Sequence, residues 1–220
     1  MNTGMEDALA VAWRLAALHK GYGGELLMQS YEDEHRPIMI RRLERCSRHV
    51  AEHFPRFQWT AERGPEVLMS ASREGEALRM KIKEQLNASG TECNDRGIEL
   101  DSRYRSAVIF GPEDGDIEPE WDVKRYTPST LPGSRVPHVF LKDGKRSILD
   151  TFGPEWSLVS FNPALIMSNP FSDIAGDMNM PLKTIVMGDE EHARRIWGYD
   201  LVLVRADVSF SFEIQTYHGN

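Results

Sequence analysis

The residues whose spacing first suggests chemistry are His49-Val50-Ala51-Glu52-His53. This H-x-x-E-H run matches one zinc peptidase pattern, and Cys46 would share a helical face with His49 and His53. Such a site needs a further glutamate from a second helix, which the run does not supply. It lies in a charged helix, so it is read as a solvated face and no metal is assigned. Glu113, Asp114, Asp116, Glu118 and Glu120 form an acidic cluster, but a calcium loop requires ligands, a central glycine and a closing glutamate in register. That run is read as a solvated loop. His138, after Pro137, is read as structural. No Gly-x-Ser-x-Gly elbow and no paired catalytic carboxylates stand out.

A different signal sits at the amino end, where Met1-Asn2 leads into Thr3-Gly4-Met5-Glu6. Threonine followed three residues later by glutamate is a capping box. A glycine-bearing turn feeding a capped helix presents unpaired amides and the positive end of the helix dipole. Such an end suits an anion. The plainer reading is that Thr3 only caps a core helix.

The elements that would carry these residues are helical in the first hundred positions. Ala8, Val11, Ala12, Leu15, Ala16 and Leu18 form a helical stripe, which Gly21, Gly23 and Gly24 stop. A second helix is predicted from Glu25 to His35. Pro37 is expected to open a third, which ends before Pro55, because proline lacks an amide and restricts the residue before it. A fourth runs from about Pro65 to Leu86. Beyond Gly97 the pattern turns to strands: 106–110, 136–141 and 146–152, the last two joined at Asp143-Gly144, then 157–161, 182–187 and 201–204. A short helix is predicted over 190–197, and Val208 to Ile214 alternates like a strand.

Composition narrows the class. Of 220 residues, 40% are hydrophobic and 27% charged, which is globular and not disordered. A net charge of −8 without a basic stripe argues against nucleic acid. No apolar run approaches the roughly 20 residues of a membrane span. Two cysteines, Cys46 and Cys93, far apart and in no CxxC, point to a reducing compartment, with the cytoplasm as the expectation.

Three stretches carry a family likeness. Met1-Asn2-Thr3-Gly4-Met5-Glu6-Asp7-Ala8, with Ala12-Trp13-Arg14-Leu15-Ala16, is similar to a "GMNTG…DA" turn that opens a helix. Ser30-Tyr31-Glu32, with Glu34, Arg36 and Pro37, is similar to "SYE-E-RP". Tyr126-Thr127-Pro128-Ser129, Pro132 to His138 and Leu149-Asp150-Thr151-Phe152-Gly153 are similar to the opening of a thioredoxin-like domain. Together, over residues 1 to about 206, they resemble the phenol hydroxylase group of flavoprotein monooxygenases.

The resemblance implies an α+β chain: residues 1–100 as the helical end of an FAD domain and 101–220 as a small thioredoxin-like α/β domain. It implies FAD as cofactor, NADPH as co-substrate, and a small phenol-like aromatic substrate in the complete enzyme. Met1, Asn2, Thr3 and Gly4 would lie next to the flavin, whose reduced form carries negative charge near N1 and the C2 carbonyl. No acid, base or substrate clamp is implied. The family's GxGxxG turn and "GD" motif have no match here; Gly21-Tyr22-Gly23-Gly24 ends a helix and does not follow a strand. The expectation is therefore a fragment, a truncated gene product or a degenerate copy. The family's "PDG" after Leu203-Val204-Arg205 is replaced by Ala206-Asp207 and a divergent tail. The alternative is a non-catalytic thioredoxin-like packing or homodimerisation module. In that module Asn162-Pro163-Ala164-Leu165 stands where redox members carry CxxC.

Overall fold

Helix α1 spans Asn2–Lys20 and ends at Gly21, whose φ of 85° lies in left-handed backbone that suits glycine. Helix α2 then runs unbroken from Glu25 to Arg63. The computed structural model describes residues 2–89, 94–109, 117–168 and 170–216. Pro37 and Pro55 both lie inside α2, so the expected break at each is not there. Around Pro37 the reason is tertiary: Ser30, Glu34, His35 and Ile38 fall on one face and are all buried, while Pro37 itself points to solvent. Contacts on that face hold the helix across the missing amide. The expected fourth helix divides into α3, Pro65–Met69, and α4, Arg73–Ser89; between them the Ser70 hydroxyl donates to Val67 O at the end of α3 and Ser72 Oγ accepts from Gly75 N–H at the start of α4.

A short α5, Arg96–Leu100, begins the second half. The strand expected at 106–110 does not form among the described residues. Its apolar content is used differently: Ile109 packs with Ile38 and Tyr104 against α2, and the Ser106 hydroxyl donates to Glu34 at 2.6 Å. The turn at Asp143-Gly144 is present, with Leu141 N–H on Arg146 O and Ile148 N–H on Val139 O, both at 2.9 Å. Pairing ends there because Ser147 and Asp150 form a capping box that turns Ile148–Thr151 into a 3-10 helix.

The sheet is built from β1 (Trp156–Ser160), β2 (Leu182–Val186), β3 (Tyr199–Val204) and β4 (Phe210–Thr216), in the order β2-β1-β3-β4. The pair β1–β2 is parallel, and the other two pairs are antiparallel. Helices α6 (Pro163–Ser168) and α7 (Phe171–Asp177) make the crossover from β1 to β2, and α8 (Glu191–Trp197) precedes β3. Alternation along the strands divides the core: Val159, Val202 and Val204 pack with Ile148, Trp197 and Phe210 on one face, and Leu158, Leu201 and Leu203 lie on the other. The architecture is α+β. Trp13 of α1 meets Trp156 of β1 edge-on at 6.2 Å, which joins the helical layer to the sheet.

Candidate functional site

The amino end of α1 presents Thr3 and Gly4 to solvent, with Asn2 as the first helical residue. Met1 lies outside the described residues. The expected capping box is absent: Thr3 is already within the first turn, and the Glu6 carboxylate instead pairs with Arg42 of α2. Consequently Glu6 is withdrawn from the helix end. No acidic side chain lies in the first turn, and a Cβ built on Gly4 would meet nothing within 4 Å. The first amides of a helix have no partner within it. A carbonyl or anionic edge can therefore approach these amides without meeting a carboxylate.

The residues of the "SYE-E-RP" stretch serve a different purpose. Glu34, fully buried, accepts four hydrogen bonds. Arg14 Nη2 donates at 2.7 Å, Ser106 Oγ at 2.6 Å, and Arg205 Nη1 and Nη2 at 2.9 and 2.7 Å. Arg14 also donates to Ser30 Oγ and to the carbonyls of Ala10 and Leu27. Arg205 also donates to both oxygens of Asp207, and Ser209 Oγ donates to Asp207 Oδ1 at 2.6 Å. Two guanidiniums and two carboxylates thus balance in a dry interior. Burial opposes the charge on Arg205, but Asp207 and Glu34 outweigh it and its pKa is raised; Asp207 is held below the usual carboxylate range by Arg205 and Ser209 against the same desolvation. This clasp was not legible as a site. Arg14 sits in an apolar stripe, where a charged residue signals a buried partner, but nothing in the sequence names Arg205 as that partner.

The tail around Asp207 is a tight turn. Val208 adopts φ 62°, a left-handed conformation costly for a β-branched residue. The turn persists because Arg205 N–H meets Ser209 O at 2.9 Å and the Asp207 carboxylate is fixed on both sides.

The H-x-x-E-H run is not a solvated face throughout. His49 Nε2 lies 2.8 Å from Asp95, a buried carboxylate that also receives Arg45 and Lys124. Burial would raise the Asp95 pKa, but the hydrogen bonds from Arg45, Lys124 and His49 prevail and lower it well below the ordinary range. The imidazole is thus engaged in tying residues 94–125 to α2, and Cys46 is exposed. Cys93 and residues 110–116 of the acidic run lie outside the described residues; Glu118 is bridged by Arg103 and Arg105. At Asn162-Pro163-Ala164-Leu165, the Asn162 side chain accepts from Ala164 N–H and opens α6.

Residues 1–46 match the family described as FAD binding domain. An FAD-dependent monooxygenase of Penicillium oxalicum is 33% identical over 213 residues, covering 94% of this chain and 40% of that protein. The chain is thus similar to one part of the FAD-dependent monooxygenases. Among the similar proteins, phenol 2-monooxygenase of a Pseudomonas species is 25% identical over 90% of this chain and 35% of its own length. The solved structure of the rebeccamycin biosynthetic enzyme RebC with reduced flavin shares 31% identity, with a TM-score of 0.70, over 97% of this chain and 38% of its own. The chain thus spans about two fifths or less of the relatives it matches. No helix among the described residues is long and apolar enough to cross a membrane.

Proposed function

We propose that this chain forms part of an FAD-dependent monooxygenase that hydroxylates a small phenol-like substrate, with NADPH as reductant and the cytoplasm as its compartment. The observation that carries this reading is the amino end of α1, open, free of carboxylates and inside the matched FAD-binding stretch. FAD, when bound, would supply hydride acceptance and oxygen activation. The contribution of this chain would be electrostatic: the amides at Asn2, Thr3 and Gly4 hold the negative edge of the flavin ring. A helix end supplies roughly 0.3–1 kcal/mol, against roughly −8 kcal/mol for a micromolar complex. The chain alone is therefore expected to bind flavin weakly and to consume no NADPH. The test is an amide NMR titration with FAD: the Thr3 and Gly4 signals should shift, and Gly4→Asp should suppress the shift by placing a carboxylate there. Unmoved Thr3 and Gly4 signals would remove the reading.

A second part of the reading divides the chain at about residue 100 and takes 101–220 as a thioredoxin-like module without disulfide chemistry. The sheet order β2-β1-β3-β4 with one parallel pair supports it, as does Asn162-Pro163-Ala164-Leu165 at the start of α6. Insulin-disulfide reduction that is lost in Cys93→Ser but kept in Cys46→Ser would contradict it. A homodimer belongs to the same reading. Val50, Phe54 and Phe57, at helical spacing on the distal half of α2, are each more than 60% exposed and would supply the contact; sedimentation velocity decides.

A further inference from the structure

Beside the middle of α2, where residues 94–109 and 117–125 pack on it, lies a cavity of about 100 Å³. Arg41, Arg45 and Arg48 line one side, at the i, i+4 and i+7 spacing of one helical face. Trp121, with Ile98 and Val123, lines the other. The Arg41 guanidinium lies over the Trp121 ring, 4.6 Å from its centroid. Stacking takes up the face of the planar fork and leaves the N–H groups at its edge free. Neither Arg41 nor Arg48 makes a hydrogen bond or an ion pair among the described residues, and neither guanidinium is closed to water.

Charge around this cavity does not balance. Asp95 answers to both Arg45 and Lys124. Glu44 also lines the cavity, but it pairs with no described residue. Arg41, Arg45, Arg48 and Lys124 thus stand against two carboxylates, an excess of two positive charges in a chain whose net charge is −8. The neighbouring pairs Asp101–Arg103 and Glu6–Arg42 are each complete and do not alter that excess. Burial holds Arg41 below its ordinary pKa; Asp101 opposes this in part, and Arg103 and Arg42 reinforce it. A half-buried cation without a counter-ion is costly, and a bound anion relieves that cost.

Size and charge set the class of ligand. About three waters at about 30 Å³ each would fill the space, which is room for a tetrahedral oxyanion and too little for a molecule carrying it. A carboxylate would answer one of the two charges. A phosphate monoester, at about −1.5 to −2 near pH 7, answers both. Arginine forks also match phosphate oxygens in bidentate pairs.

We propose that this cavity is a binding site for a doubly charged phosphate group, held between Arg41 and Arg48, with Trp121 fixing the Arg41 fork. The group is free inorganic phosphate or the monoester end of a larger molecule whose body stays outside. Its binding is independent of flavin at the amino end of α1.

The test uses the full chain without FAD, titrated by calorimetry at constant ionic strength with inorganic phosphate, methyl phosphate and dimethyl phosphate. At about pH 8 the first two are dianions and the third is a monoanion. The dianions should bind about tenfold or more tightly than dimethyl phosphate, and should shift the Arg41 Nε–H and Trp121 indole NMR signals. Comparable binding of both dianions would assign the site to a monoester, and binding of inorganic phosphate alone to the free ion. Arg41→Gln and Arg48→Gln should each weaken binding about tenfold, the loss of one charge-assisted partner. Arg36→Gln, on the same helix but paired with Glu32 outside the cavity, should leave it unchanged. Absence of binding by both dianions at millimolar concentration, equal binding of dimethyl phosphate, or full affinity in Arg48→Gln would each overturn the proposal. Should Arg41→Gln fail to fold, Arg48→Gln, at its exposed position, decides it.

Discussion

Arg205 and Glu34, 171 residues apart in sequence, face each other through two hydrogen bonds of 2.9 and 2.7 Å with neither side chain exposed. Removing one partner of a buried pair leaves the other uncompensated, at a cost of about 3–5 kcal/mol. Glu34→Ala leaves Arg14 without a carboxylate while Arg205 keeps Asp207, and Arg205→Met leaves Asp207 without a guanidinium while Glu34 keeps Arg14. Each variant should therefore lose stability within that range. Urea midpoints check it; an unchanged midpoint in either variant would mean that the pair adds nothing to stability.

His35 gives a pH dependence. Burial and Arg14 lower its folded pKa below the unfolded value of about 6.5. The sign follows: below that pH the unfolded chain takes up the proton first, so stability is full above about 6.5 and falls as the pH drops toward the folded value. The slope from one group is at most about 1.4 kcal/mol per pH unit. Urea midpoints should fall as the pH drops below about 6.5 in wild type and flatten in His35→Phe.

Asp95 gathers Arg45, His49 and Lys124. Asp95→Asn should lower stability by about 2–3 kcal/mol, the range for hydrogen bonds to charged groups left unmet. Amide hydrogen exchange should rise over residues 94–109 and 117–125 while β1 and β3 remain protected. Uniform loss of protection would show instead that this staple is part of the global unfolding unit.

Pro37 is exposed yet interior to α2. Pro37→Ala restores an amide that can meet the Asp33 carbonyl, and should stabilise the protein by about 1–3 kcal/mol. A loss of stability would indicate that the helix is interrupted there in solution.

Elements with strong local signals were legible: α1 with its glycine stop, the four sheet strands, α8 and the turn at Asp143-Gly144. The errors share a cause. At Pro37 and Pro55 a local penalty was allowed to end a helix that buried contacts elsewhere sustain. At 106–110 an apolar run suited a strand as well as it suits a pad for Ile38. The capping box failed because Arg42, 36 residues from Glu6, outbids the nearby backbone amide. Partners far along the chain leave no local trace, which also hid the clasp around Glu34. The "PDG" departure was legible as a difference, but its meaning was not: the carboxylate of Asp207 holds the turn even where Val208 replaces glycine.

The clasp also sets a timetable. Glu34 is made 171 residues before its bidentate partner emerges. Until then the amino-terminal helices carry a carboxylate whose final environment does not yet exist, with only Arg14 at hand. Domains tend to fold as units while the chain is extruded, but this contact cannot close until Arg205 has left the ribosome. The helical layer must therefore wait in an unfinished state, open to chaperones and proteases, until β3 docks and completes it.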